Sequence, residues 1–238
     1  MLTSMNLEFV ALGCLWYIAF LFSLTCHEAS HALAAQWGGD LTAAEGGQVT
    51  LNPLPHIRRE IFGIIIVPIL SYVLGGWMIG WGSAPFDPRW RYQHPRRAAW
   101  MAVAGPAANL VLMLGAALGI RIGIVAGALV EPESARFTRV VVAARPGPLE
   151  GVAILLSIMF SLNLLLALFN LLPIPPLDGH GAICLFFTEN FARPFTQATS
   201  NPALAMIGLL VGWKVFGYLY APLFLLALNI LYPGVRYH

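Results

Sequence analysis

Polar and apolar positions in this chain do not alternate with the short period of a half-buried strand. They fall into long apolar blocks broken by short polar ones. Five blocks stand out, at 7–35, 61–81, 98–130, 151–172 and 203–232. Each supplies the ~20 residues an α-helix needs to cross the hydrocarbon core of a bilayer. The intervening stretches carry turn chemistry: Trp37-Gly38-Gly39-Asp40, Ser83-Ala84-Pro85, Arg145-Pro146-Gly147-Pro148 and Pro173-Ile174-Pro175-Pro176. No internal repeat is visible, and no soluble appendage exceeds a loop. The pattern predicts an all-α polytopic membrane protein with four to five transmembrane helices, forming a single membrane-embedded domain over residues 1–238. The second block differs from the others because it contains Pro68, Gly75, Gly76 and Gly80. Such residues mark broken or re-entrant segments, which survive at membrane depth only when packed in protein.

Composition agrees with the pattern. Apolar residues make up 58% and charged residues 10% of the chain, against about 25% charged in soluble domains. A mean hydropathy of +0.75 makes hydrocarbon the solvent for most of it. Thirteen basic and 11 acidic groups leave a net charge of +2, too little for the electrostatic footprint of a nucleic-acid binder. Three cysteines, Cys14, Cys26 and Cys184, are too few and too scattered for a disulfide framework or a structural zinc cluster. The first nine residues hold no Lys or Arg and carry Glu8, so the segment reads as a retained helix rather than a cleaved signal. Arginine dominates lysine, and Ala, Gly and Pro are plentiful; this usage suits a prokaryotic source, and hence a plasma membrane.

The chemistry begins at His27-Glu28-Ala29-Ser30-His31. An i, i+4 spacing puts both imidazoles on one helical face, where they can bind a single Zn²⁺. Glu28 then stands beside the metal, placed to take a proton from its water. With this chain's His and Glu content, chance would produce the pattern only about 0.005 times. Ionisable groups at membrane depth are expensive, which argues for a working site. A catalytic zinc wants three protein ligands and an open position, and no third His follows His31 at metzincin spacing. Candidates for the third ligand near membrane depth are Asp178, His180, His56, His94, Glu189 and Lys214. Asp178 stands out because Pro173, Pro175 and Pro176 break the preceding helix and free its carbonyls, an arrangement that suits a cavity.

Three motifs in this order resemble the site-2 protease family: His27-Glu28-x-x-His31; Ala104-Gly105-Pro106-x-x-Asn109; and Asn170-x-x-Pro173-x-Pro175-x-Leu177-Asp178-Gly179. The stretch from Gly47 through Asn52-Pro53-Leu54 to Trp81-Gly82 is similar to its short bacterial branch. Members are intramembrane zinc metalloproteases that cut transmembrane segments of other proteins. The resemblance implies one zinc per chain on His27, His31 and Asp178, with Glu28 activating the water. It implies polar groups near the site at Asn109 and Asn170 that bind substrate backbone. The chain departs from the branch at Arg58 and Arg59, where an Asp is usual after the His of the Asn-Pro-Leu segment, and at His180, where Gly is frequent. His56, His94 and His180 therefore stand as candidates to bind a second metal or tune the first.

The ligand set constrains topology. His27 lies some 20 residues into its helix, nearly a full crossing at ~1.5 Å per residue. Asp178 also follows a full crossing, so the two helices must run parallel. Block 61–82 meets that condition if it enters and returns on one side, as a hairpin bent at Pro68 and Gly75 over the site that helps screen or position substrate; a break of block 98–130 into two pieces would meet it as well. The metal-bearing side then holds seven arginines against five on the other, which turns it toward the cytoplasm. Expected partners are the lipid bilayer and a membrane-protein substrate with a transmembrane helix; no nucleic acid is expected. An edge at 48–51 is the candidate for capturing an unwound substrate by strand addition. Two other functions fit the same residues: a catalytically silent binding or chaperone module, and a metal or solute transporter lined by His and Asp. The intact Glu28 disfavours the first, and the lack of paired broken helices disfavours the second.

Overall fold

The computed structural model describes residues 7–199 and 201–237; the basic-free start of the chain before Leu7 lies outside them. The helix α1 spans Leu7–Trp37, followed by the short α2 (Thr42–Glu45) and α3 (Pro53–Arg59). A π-helical turn, Phe62–Ile66, runs into α4 (Val67–Gly75), and α5 covers Pro88–Gln93. Then come α6 (Pro95–Val125), the two-residue strands β1 (Leu129–Val130) and β2 (Val142–Ala143), and α7 (Leu149–Asn170). The chain closes with α8 (Asp178–Ala182), α9 (Glu189–Ala198) and α10 (Pro202–Leu231). Among the described residues, four helices are long and apolar enough to cross a membrane: α1, α6, α7 and α10.

The second apolar block, 61–81, does not form a spanning helix. Residues Phe62–Gly75 are helical for 14 residues, about 21 Å at 1.5 Å per residue, short of the ~30 Å core. After Gly75 the chain turns and comes back extended, so that the Trp81 N–H donates to the Gly63 carbonyl at 3.1 Å. Ser71 Oγ accepts from the Ile79 N–H within the same hairpin. The Tyr72 hydroxyl donates to the Phe9 carbonyl at 2.7 Å, fastening the hairpin along α1. Its apolar faces bury Ile64, Tyr72 and Met78 against Trp16, Phe20 and Leu24 of α1 and Ile158 and Leu162 of α7.

Side-chain contacts give the direction of each helix. Trp16 stacks on Phe137, just before α7 in sequence, while Ser23 meets Asn163 further along α7, so α1 and α7 run parallel. The helix α6 runs antiparallel to both: Arg97 and Trp90 reach Gly38 at the end of α1, whereas Asn109 meets His27. Returning antiparallel to α7, α10 places Tyr220 against Ser161 and Tyr232 against Val140. The parity required of the sequence is met, because the hairpin begins and ends at the same end of the bundle. At the opposite end, β1 and β2 pair antiparallel (Leu129↔Ala143). There the Ser157 hydroxyl accepts from the Val140 and Val141 N–H groups, and Ile120, Phe160, Leu228 and Tyr232 fill the core beneath.

Candidate active site

The fold brings three distant donors to one point. One turn apart on α1, His27 and His31 bring their Nε2 atoms to 3.0 Å. Asp178, the first residue of α8, places Oδ2 3.1 Å from His27 Nε2 and 3.3 Å from His31 Nε2. The local sequence explains its arrival: α7 stops at Asn170, three prolines forbid its continuation, and the chain folds back to start α8 at Asp178. Gly105 lets α6 close over the site, since a Cβ there would stand 2.6 Å from His27 Nε2 and overlap His31 Nε2.

The outer faces of both imidazoles are bonded to acceptors. His31 Nδ1 is 2.7 Å from the Met101 carbonyl, and His27 Nδ1 is 2.6 Å from Asn109 Oδ1. A carbonyl oxygen can only accept, so each Nδ1 carries the proton and each Nε2 keeps its lone pair. Oδ2 of Asp178 is buried and receives no hydrogen bond. Three acceptors thus converge with mutual distances of 3.0–3.3 Å. A tetrahedral zinc with bonds of about 2.0–2.1 Å separates its ligands by about 3.3–3.4 Å. Two imidazoles and a carboxylate are a donor set that zinc accepts, so residues and geometry fit that ion.

Beside this cluster lies a cavity of about 920 Å³. His27, Glu28, His31, Asn170 and Asp178 all line it, as does the returning arm of the hairpin from Ile79 to Ala84. The Glu28 side chain is buried and packs against Gly82, where a Cβ would stand 2.8 Å from Oε1. Two side chains hold the returning arm in place: Ser83 donates to Glu60, and the Asp87 N–H donates to Asp40 at 2.8 Å.

With motifs, order and geometry in place, the comparison with known proteins is decisive: the model of peptidase family M50, the site-2 protease family, matches residues 15–214. The chain belongs to that family. A Bacillus subtilis M50 relative named "Putative zinc metalloprotease YwhC" is 33% identical over 196 residues, covering 82% of this chain and 78% of the relative. Proteins named "Putative zinc metalloprotease Rip2" are similar too. The one from Mycolicibacterium smegmatis is 31% identical across 84% of this chain and 66% of its own length; the one from Mycobacterium tuberculosis H37Rv is 32% identical across 84% and 70%. No solved structure matches the chain significantly.

Within this M50 fold, five of the six residues singled out in the sequence share one cavity wall. The sixth, Asn109, is fully buried behind His27, and its amide is taken up by His27 and Asn163. Asn170 faces the cavity while its Nδ2 donates to the Leu166 carbonyl at 3.0 Å. Among the described residues, His27, His31 and Asp178 are the one set of three that could hold a metal. His56 is buried with Nε2 on the Thr50 carbonyl. At the junction of α5 and α6, His94 is half-buried, and His180 stacks on Phe195. Residues 48–51 form no strand: they are a bent connection in which Thr50 Oγ accepts from the Asn52 N–H. The extended backbone beside the site is instead the returning arm of the hairpin that the sequence places over it.

Proposed function

We propose that this M50 protein is an intramembrane zinc metalloendopeptidase that hydrolyses peptide bonds in or near the transmembrane segments of other membrane proteins. The observation that carries the reading is the convergence of His27, His31 and Asp178 at 3.0–3.3 Å on the wall that also carries Glu28. The names of its relatives, which call them zinc metalloproteases, point the same way. His27, His31 and Asp178 would hold one zinc, which when bound polarises a carbonyl and brings the pKa of water toward ~7.

Glu28 takes a proton from the attacking water and passes it to the nitrogen of the leaving amine as the C–N bond breaks. Asn170, on the same wall, is placed to bind substrate backbone. A helical substrate hides its carbonyls in hydrogen bonds, so it must unwind before attack. The returning arm suits the unwound strand: among the described residues its Gly82, Ser83 and Ala84 N–H groups have no backbone acceptor, and these residues border the cavity, so a strand can add there. Seven arginines on the metal-bearing side orient it toward the cytoplasm of a prokaryotic plasma membrane.

Zinc content of the detergent-purified protein, measured beside His27→Ala and Asp178→Ala, tests the ligand set. About one zinc per chain, lost in both variants, supports it; zinc indifferent to Asp178 overturns it. Glu28→Gln separates a protease from a transporter or silent module, since it should abolish cleavage of a membrane-embedded reporter while zinc remains.

A further inference from the structure

A chain of amides runs behind the metal cluster. Asn109 Nδ2 donates to Asn163 Oδ1 at 2.8 Å, and Asn163 Nδ2 donates to the Met159 carbonyl at 2.8 Å and to Ser23 Oγ at 2.9 Å. Asn109, Asn163 and Ser23 are all fully buried, so water cannot substitute for any of these partners. The direction of the chain is forced from one end. A backbone carbonyl is an acceptor only, so the side of Asn163 that faces Met159 must be its NH₂. Its oxygen then faces Asn109 and must be met by a donor. Asn109 accordingly turns its NH₂ to Asn163 and its oxygen to His27. An oxygen there requires the proton on His27 Nδ1, which leaves Nε2 free on the side of Asp178.

We propose that Asn163 is a positioning residue. By fixing which way the Asn109 amide faces, it holds His27 in the tautomer that presents the Nε2 lone pair to the metal. The inference rests on the zinc reading above and adds a residue that touches neither zinc nor substrate. His31 needs no such device, because its Nδ1 meets the Met101 backbone carbonyl directly. His27 lacks a backbone acceptor, and the amide relay substitutes for one. Without Asn163, the Asn109 amide is free to flip. Its NH₂ then faces Nδ1 and favours the proton on Nε2, where a metal must bind. Partners of metal-bound histidines that fix tautomer and orientation typically carry 10–100-fold of metal affinity or activity.

The test is zinc retention by the full-length, detergent-purified protein against a graded chelator. Wild type is compared with Asn163→Leu and with the double variant Asn163→Leu/Asn109→Asp. Asn163→Leu keeps the branching at Cγ in a somewhat bulkier side chain, removes the relay, and should weaken zinc retention about 10-fold or more. The double variant should recover to within about threefold of wild type, because a carboxylate presents an acceptor to His27 whichever way it turns. A protein misfolded by the Asn163→Leu substitution would not recover, since both variants carry it. Retention unchanged in Asn163→Leu overturns the proposal. Loss that the double variant fails to restore overturns it too, by showing that Asn163 acts through packing. A wild type that holds no zinc removes the zinc reading itself, whatever the variants do.

Discussion

Gly82 lies directly against Glu28. A Cβ at position 82 would stand 2.8 Å from both Cγ and Oε1 of that side chain, so the returning arm of the hairpin is the backstop of the proposed base. Gly82→Val should push the carboxylate away from the cavity while leaving His27, His31 and Asp178 untouched. We expect cleavage of a membrane-embedded reporter to fall by about 10²–10⁴-fold, the usual worth of a positioned acid–base group. Elemental analysis should show zinc unchanged. Full cleavage in this variant, or zinc lost in step with it, would disprove the backstop role.

On the other side of the cluster, Gly105 lets α6 approach the two imidazoles. Gly105→Ala adds one methyl, aimed at both Nε2 atoms. Zinc content should drop more than Asn163→Leu makes it drop, beyond about 10-fold, because the methyl takes the space of the metal rather than tuning a ligand. Gly115→Ala on the same helix is the control: its Cβ would meet open space, so zinc should stay. Two variants of one chemistry, ten residues apart, should therefore separate completely by elemental analysis.

The convergence of His27, His31 and Asp178 was legible in the sequence because helical spacing is a strict rule. An i, i+4 pair of histidines faces one way, and three prolines after Asn170 can only end a helix. The hairpin was legible at one remove, since two ligands late in two crossings demand parallel helices, and the Pro68, Gly75, Gly76 and Gly80 of block 61–82 mark it as the segment to return. Other features left no trace. His31 is oriented by the backbone carbonyl of Met101, and every residue has one. The amides of Asn109 and Asn163 sit 54 positions apart in sequence, and only the crossing of α6 and α7 makes them neighbours. Val49 and Thr50 suit a strand by propensity, yet no partner strand lies beside them, and propensity without pairing makes no sheet.

Asp40 fastens the returning arm to the end of α1. Its carboxylate accepts from the Thr42 N–H, the Thr42 hydroxyl and the Asp87 N–H. Burial alone would raise its pKa, but these bonds hold the carboxyl below its ordinary value. A depressed folded-state pKa gives stability that is complete above the unfolded value, about 3.9, and is lost as pH falls through the folded one. Asp40→Asn turns an NH₂ toward one of the donors and should cost about 1–3 kcal/mol for the unsatisfied group. Thermal unfolding in detergent should show a lower Tm at pH 7, with the gap to wild type closing in acid. A gap that persists at low pH would mean the carboxylate's charge contributes nothing.

The hairpin and the orientation of the bundle are settled by one labelling experiment. Arg58 and Arg89 flank the hairpin, while Arg145 lies in the connection at the opposite end of the bundle, and all three are exposed. Cys14 is exposed and is first replaced by Ala; Cys26 and Cys184 are buried. An impermeant maleimide should then label Arg145→Cys in intact cells, and both Arg58→Cys and Arg89→Cys only in inside-out vesicles. Agreement between the two flanking positions tests the hairpin alone, because a segment that crossed would put them on opposite faces. Their common side tests the orientation alone. If both react in intact cells, the hairpin stands while Glu28 and the metal cluster face outward, and the substrate segments within reach would be those entering from outside.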